Sequence, residues 1–264
     1  MSLYKSLIKR AKQALKGHWI SAISVTVIVL IFKTVVTSIE GGLLLICEHF
    51  GITHFLDENF FTNVNFSAET VLGLVIAVLC ALISLSFVAP ILIGEIRWQC
   101  KLFDKTPVKI RELFHFYKTP RLYFKSVYLI LSVFLQRLLW GIIIFLLPLT
   151  TFAFSSVLIE NKSSVSQGFG IIALVIGTGF FALGILFFFK MYFDFSLASY
   201  ILAKDENIKV SKAIKISKKT MHKNEGKYLA LNLVLLPLFF VIPFYHACHI
   251  AFARHFLEEQ NQER

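Results

Sequence analysis

Residues 71–101 read VLGLVIAVLCALISLSFVAPILIGEIRWQCK, and this stretch decides the class of fold. It carries no ionised side chain before Glu95, after which Arg97 and Lys101 follow closely. A helix needs about 20 apolar residues to cross the ~30 Å hydrocarbon core of a bilayer, and residues 71–94 meet that length. The stretch therefore predicts a membrane helix with a basic segment at one end.

The composition of the whole chain is typical of a membrane protein. Of its 264 residues, 56% are hydrophobic and 16% are charged, and the net charge is +11. This is too apolar and too unevenly charged for a soluble domain. The basic residues lie beside bilayer-length apolar runs, so we expect the lipid bilayer and its anionic lipids as partners, and no nucleic acid.

Five apolar runs are predicted to lie in the membrane, at 20–39, 71–94, 127–159, 169–203 and 228–252. The third and fourth are too long for one straight crossing, so part of each must tilt, project or lie along the interface. The fifth contains Pro237 and Pro243, which leaves open a single span or a broken, re-entrant hairpin. The predicted fold is an all-α, multi-pass transmembrane bundle of five or six membrane segments, forming a single membrane domain over 1–264.

Lysine and arginine are concentrated in three segments, 1–19, 95–126 and 204–227, whereas the loop at 40–70 has no base. Short loops rich in Lys and Arg stay in the cytoplasm. We therefore expect a protein of the cell membrane with its amino terminus, 95–126 and 204–227 in the cytoplasm and 40–70 outside. The side of the carboxyl terminus depends on the fifth run.

Two of the basic segments contain the pattern of an amphipathic helix that lies at the cytoplasmic head groups. The apolar stripes are Leu7, Ala11, Ala14 and Leu15 in the first and Ala213, Ile216, Thr220 and Met221 in the second. The side chains predicted to contact lipid head groups are Lys9, Arg10, Lys12, Lys16, Lys212, Lys215, Lys218 and Lys219. Residues 110–116 resemble a weaker third copy. Two interpretations remain. The chain consists of three repeats, each a basic helix followed by a hairpin of membrane spans, or the lysine-rich helices resemble one another without a common origin.

Several short motifs carry a family resemblance. DFSLASYILA at 194–203 and KAIKISKKTM at 212–221 resemble the core signature of an uncharacterised bacterial integral-membrane family, domain of unknown function nine-seven-five. The residues around 15–19 and 112–114 are similar to it as well. Pro148-Leu149 departs from the family's usual proline-glycine pair, and the final region is compressed. The resemblance implies a six-helix membrane fold with no assigned activity.

Ionised side chains inside apolar runs are the candidate functional residues, because each costs about 2.5–3.5 kcal/mol near a helix centre. Arg137, Lys190 and Asp194 form the candidate intramembrane polar site. In one interpretation Lys190 and Asp194, four residues apart, form an ion pair on one helix face. In the other, Asp194 meets Arg137 across the bundle and lines a polar cavity for a proton or cation.

Gly170, Gly177 and Gly184 recur at intervals of seven residues and would let another helix approach closely. That helix belongs either to the same bundle or to another copy in a homo-oligomer.

No motif for hydrolysis or phosphate binding occurs, so we expect no catalytic residues. His246, Cys248 and His249 have no nearby carboxylate or third histidine to complete a recognisable zinc site, so we expect neither a metal site nor a cofactor. The leading hypothesis is a non-enzymatic structural or accessory subunit that binds anionic lipid or a membrane-protein partner. The alternative is a transporter or permease component with a polar site between membrane helices. An intramembrane enzyme is a third class.

Overall fold

A computed structural model describes residues 3–49, 68–160, 163–238 and 240–262, and its regular elements there are all helical, as predicted. The α-helices of the described residues are α1 (Leu3–Leu15), α2 (Trp19–His49), α3 (Ala68–Phe103), α4 (Pro120–Glu160), α5 (Ser164–Asp194), α6 (Ala198–Lys204), α7 (Val210–His222), α8 (Glu225–Leu235) and α9 (Ile242–Gln262). Two 3₁₀ segments, Ile110–Tyr117 and Leu236–Leu238, complete the chain.

Within the described residues, four helical segments are long and apolar enough to cross a membrane. They are Trp19–Cys47, Val75–Phe103, Pro120–Glu160 and Ser164–Lys204, the last combining α5 and α6. The 41 residues of α4 would extend about 60 Å, twice the thickness of a bilayer core. The chain is therefore compatible with an integral membrane protein, while a count of five or six spans stays a prediction.

The four long helices form two hairpins, α2–α3 and α4–α5, whose far ends expose large apolar side chains. Leu146 of α4 is 59% exposed and Phe187 of α5 is 60% exposed. Continuous apolar surface of this kind is rare on soluble monomers and is expected where lipid is the solvent. At the opposite end, called here the basic end, α1, the Ile110–Tyr117 segment, α6, α7 and α9 surround the hairpins and build the buried core.

The three glycines spaced by seven residues face α4 within the same chain. A Cβ atom added at Gly177 would lie 2.7 Å from Oγ1 of Thr151, and one at Gly170 would lie 2.7 Å from Cγ1 of Ile159. The Ser155 hydroxyl donates a hydrogen bond of 2.8 Å to the carbonyl of Gly170. The stripe therefore serves the α4–α5 contact inside the bundle.

The fifth apolar run is broken. Helix α8 ends at Leu235, and Pro237 lies in the Leu236–Leu238 turn. Pro243 lies in the first turn of α9, where its missing N–H has no intrahelical partner to lose. The 11 residues of α8 rise about 16 Å, roughly half of a bilayer core.

The two arms of this broken run are antiparallel. The Tyr245 hydroxyl on α9 donates to Oδ1 of Asn232 on α8 at 2.8 Å, and the ring of Phe252 lies 5.2 Å from that of Tyr228. At the tip, Phe240 is 90% exposed. Of the two alternatives left by the sequence, the structure has the broken hairpin, so α9 returns towards the basic end.

The basic amphipathic segments pack on protein. Leu7, Ala11 and Leu15 of α1 are buried where α1 lies along α9, and Ala213 and Met221 of α7 are fully buried. The sequence pattern predicts that these stripes lie at the head groups, but α9 and the core cover them instead, because the returning hairpin brings an apolar surface to the basic end. Each basic segment does precede a helical hairpin, α2–α3, α4–α5 or α8–α9.

Candidate functional site

A cavity of about 550 Å³ lies between α3, α4, the α5–α6 junction and the α8–α9 hairpin. Its walls combine aromatic and aliphatic side chains with polar groups from every one of these elements. The polar residues that matter below are Glu95, Gln99, Arg137, Tyr192, Asn232, Tyr245, His246 and His249. The volume falls within the range of about 300–1,000 Å³ that is typical of small-molecule sites.

An ion pair between α3 and α9 forms one side of the cavity. Oε1 of Glu95 lies 2.9 Å from Nδ1 of His246, and the Glu95 side chain is 5% exposed. A buried carboxylate requires a partner, because desolvation disfavours an isolated charge. The His246 ring is 40% exposed, so this pair links the buried wall of the cavity to its opening.

Arg137 lies on the opposite wall, on α4. Its Nη2 donates to the backbone carbonyl of Tyr192 at 3.0 Å, and its guanidinium carbon lies 4.0 Å from the centre of the Tyr192 ring. Within the described ranges no carboxylate oxygen lies within the 4.0 Å of an ion pair, and Nε of Arg137 is buried without a hydrogen-bond partner. The guanidinium is therefore held by a carbonyl and a ring rather than by an anion.

Further polar groups of the cavity lack partners. Both ring nitrogens of His249 are buried and unpaired among the described residues, although the ring packs 4.4 Å from that of Tyr245 and 5.2 Å from that of Tyr228. Oε1 of Gln99 on α3 is likewise buried without a donor. Buried polar groups are normally hydrogen-bonded, so these groups fit a site that is completed by water or a solute.

The structure separates the residues of the predicted polar site. Arg137 lines the cavity, whereas Asp194 and Lys190 are not among its lining residues. Asp194 is the last residue of α5, and no ion pair within 4.0 Å joins it to Lys190 or Arg137 in the described part of the chain. Its basic neighbours are Lys218, Lys190 and His222. Neither of the two predicted contacts of Asp194 is therefore formed.

The break after α5 has a specific partner. The Ser217 hydroxyl of α7 donates to the carbonyl of Asp194 at 2.7 Å and accepts from the N–H of Leu197 at 3.2 Å. It thus satisfies backbone groups that the α5–α6 break leaves free. Because this junction forms a wall of the cavity, α7 positions that wall from outside.

A network of ion pairs closes the basic end below the cavity. Arg97 contacts Glu206 at 3.1 Å and Glu112 at 3.6 Å, while His115 contacts Glu206 at 2.7 Å and Lys101 contacts Glu112 at 2.7 Å. The network joins α3, the 3₁₀ segment and the α6–α7 loop.

The acids of this network are held in their charged form. The hydrogen bond from Lys101 lowers the pKa of Glu112 below its ordinary value. For Glu206, partial burial raises the pKa, but hydrogen bonds from His115 and Arg97 outweigh burial and lower it overall. Both carboxylates therefore contribute to stability at neutral pH.

The residues predicted to contact head groups lie mostly on exposed faces. The exposed ones are Lys9, Arg10, Lys12, Lys16, Lys212, Lys215 and Lys219. Lys218 is partly buried, with its ammonium nitrogen 4.7 Å from the centre of the Phe195 ring. Their charge is accessible, while the apolar stripes behind them are not.

Comparisons with known proteins name no relative. No protein-family model, curated protein or solved structure matches the chain. The resemblance noted at 194–221 therefore stays a prediction.

Sequence reasoning missed Glu95 and Gln99, which belong to the cavity. The apolar run was bounded at Gly94, so Glu95 was assigned to a cytoplasmic segment. The signal available was the continuation of α3 through IRWQCKLF to Phe103, in which Glu95 and Gln99 are four apart on one helix face. From the sequence, His246 and His249 were interpreted as hydrogen-bonded histidines near an interface rather than as metal ligands, and their place in a cavity was not predicted. The described residues contain no group of three or more His, Cys, Asp and Glu that could hold a metal.

Proposed function

We propose that the protein is a transporter or permease component of the cell membrane that binds a small polar solute in the cavity between α3, α4 and the α8–α9 hairpin. The observation that carries the proposal is the set of buried polar groups without partners, on Gln99, Arg137 and His249, around about 550 Å³ of space. A bundle that served only as a scaffold would gain stability by filling this space with apolar side chains.

The re-entrant hairpin supports the same proposal. Non-helical backbone at membrane depth is tolerated where it is buried in protein or lines a water-filled cavity. Transporters use broken helices of this kind to form their binding sites. Here the arms of the broken run contribute Asn232, His246 and His249 to the cavity wall. The proposed orientation, with the basic end in the cytoplasm, follows the distribution of Lys and Arg.

Thiol labelling tests whether the cavity is open to water. In protein whose four native cysteines are replaced, we compare Ser199→Cys, which lines the cavity, with Leu146→Cys, which lies on the exposed apolar surface of α4. In lipid nanodiscs a charged methanethiosulfonate reagent should modify the thiol at position 199 and leave that at 146 unmodified. Equal protection at both positions would mean a dry cavity and would contradict transport.

The second candidate function is an accessory subunit that binds anionic lipid or a membrane-protein partner. It is favoured by the exposed lysines of α1 and α7. Because the apolar stripes of these helices are buried, the helices would attract anionic lipid through their charge. Changing Lys212, Lys215 and Lys219 to Gln should then lower the amount of phosphatidylglycerol that co-purifies, measured by mass spectrometry. The matched change of the same three residues to Arg should preserve it. Equal lipid retention in both variants would argue against this function.

A further inference from the structure

We infer that the solute of the cavity is a small organic anion whose carboxylate or phosphate binds the guanidinium of Arg137. The inference rests on the proposed function, because it assigns the chemistry of the solute for the same site. It reverses the expectation from sequence, in which Asp194 would make the cavity a site for a proton or cation.

The charges of the cavity wall carry the argument. The lining includes one carboxylate, Glu95, and this group already has His246 at 2.9 Å. Arg137 is the other strongly charged group of the lining. Among the described residues it contacts the Tyr192 carbonyl at 3.0 Å and the rings of Tyr192 and Phe195, but no carboxylate within 4.0 Å. The carboxylate of the cavity thus has a hydrogen-bond partner on a protein side chain, while the guanidinium has no carboxylate within 4.0 Å among the described residues.

A half-buried guanidinium without a neighbouring anion is energetically unfavourable. Charges inside a membrane protein are paired or line a polar cavity, because desolvation of an unpaired charge is expensive. The buried Nε of Arg137 has no acceptor in the described structure, so the Tyr192 carbonyl satisfies only part of the guanidinium. Arginine binds carboxylate and phosphate oxygens through several N–H groups at once, which is the interaction that an incoming anion would complete.

The remaining unpaired groups narrow the solute further. Oε1 of Gln99 is covered in this structure and can only accept, so after a rotation of its side chain into the cavity it suits a hydroxyl or amine on the solute. The covered ring of His249 would add a donor and an acceptor in the same way when neutral. The class that fits is an organic anion that also carries a hydrogen-bond donor. A water-soluble hydroxy acid or phosphate ester has this chemistry, and so does the head group of phosphatidylglycerol.

The experiment uses the full chain in nanodiscs of phosphatidylcholine and follows thermal unfolding. The water-soluble anions are lactate and glycerol 3-phosphate, and the matched probes without negative charge are glycerol and ethanolamine. A lipid arm replaces part of the phosphatidylcholine by phosphatidylglycerol. We expect at least one anion to raise Tm in a saturable way. A response in only the soluble arm or only the lipid arm identifies the source of the anion.

Variants connect the response to Arg137. Arg137→Gln should weaken the apparent affinity for the effective anion at least tenfold, and Arg137→Lys should retain part of it. Arg121→Gln makes the same chemical change on an exposed residue of α4 outside the cavity and should leave the affinity unchanged. Size-exclusion profiles and unfolding without solute establish that each variant is folded. If Arg137→Gln does not fold, the comparison of wild type with Arg137→Lys decides.

Three results would overturn the inference. One is that ethanolamine or glycerol raises Tm while none of the anions does. The second is that no probe raises Tm, and the third is that wild type and Arg137→Gln bind the anion with equal affinity. Labelling at Ser199→Cys separates this failure from that of the proposed function. A reactive thiol there leaves a water-filled cavity with a different solute, whereas a protected thiol contradicts both proposals.

Discussion

The carboxylate of Glu95 on α3 and the imidazole of His246 on α9 meet at 2.9 Å, although 151 residues separate them in the chain. The contact ties the α8–α9 hairpin to the α3 wall of the cavity. Since the Glu95 side chain is 5% exposed, the pair is shielded from solvent over most of its surface.

Replacement of Glu95 by Gln should destabilise the protein by about 1–3 kcal/mol, because a buried charge-assisted hydrogen bond becomes a neutral one. The measurement is the free energy of unfolding in mixed micelles. Glu259→Gln is the control, since it removes a His–Glu contact of 3.2 Å whose carboxylate is 51% exposed, and such pairs contribute little. Equal effects of the two changes would show that the Glu95–His246 pair does not anchor the hairpin.

The ion-pair network of the basic end predicts sensitivity to acid. The pKa of Glu206 is lower in the folded protein than its ordinary value of 4.5, so its stabilising contribution is fully present above that value. The contribution is lost as the pH falls through the lower, folded-state pKa. Wild type should therefore be more stable than Glu206→Gln at pH 7, and the difference should shrink as the pH approaches 3.

Unfolding curves at a series of pH values measure this difference. Glu258→Gln serves as the control, because its contact with Arg254 is longer, at 3.6 Å, and its side chain is 50% exposed. A gap between wild type and Glu206→Gln that widens in acid would contradict the assigned direction of the pKa shift.

Features of the structure that depend on interactions between residues close in the sequence could be predicted, and features that depend on distant contacts could not. Apolar length and helical period depend on neighbouring residues, so the all-helical fold and the break between Pro237 and Pro243 were accessible as predictions or stated alternatives. The cavity depends on contacts such as Glu95 with His246, which no local pattern reveals. Asp194 illustrates the limit, because its spacing from Lys190 within α5 is correct for an ion pair, yet Lys218 of α7, 24 residues along the chain, is also a charged neighbour.

The glycine stripe of α5 predicts a position-specific effect of a single methyl group. Gly177→Ala should destabilise the α4–α5 hairpin by about 1–3 kcal/mol, because the new Cβ would lie 2.7 Å from Oγ1 of Thr151 and 3.1 Å from the Phe152 ring. Gly179→Ala, two residues away, meets no atom within 4 Å and should be neutral or slightly stabilising. Thermal unfolding of both variants checks this. A larger loss at position 179 would mean that the face of α5 that carries Gly179, rather than the stripe, makes the tighter contact.

The return of α9 predicts that both ends of the chain lie on one side of the membrane. Arg254 of α9 contacts Asp104 after α3 at 2.6 Å, and α9 lies along α1. Epitope tags at the two termini should therefore show the same protease accessibility in sealed vesicles. A tag inserted after Glu160, at the far end of α4, should show the opposite accessibility. Tags at the termini on opposite sides would require the fifth run to be a single span.

The contact between α1 and α9 also sets an order of events during synthesis. Leu7 and Leu15 leave the ribosome before α9, yet α9 covers them in the folded chain. Until α9 is made, this stripe can lie at the boundary between head groups and acyl chains, where basic amphipathic helices bind. The pattern that predicts an interfacial helix thus suits a temporary partner, lipid, before a permanent partner, protein.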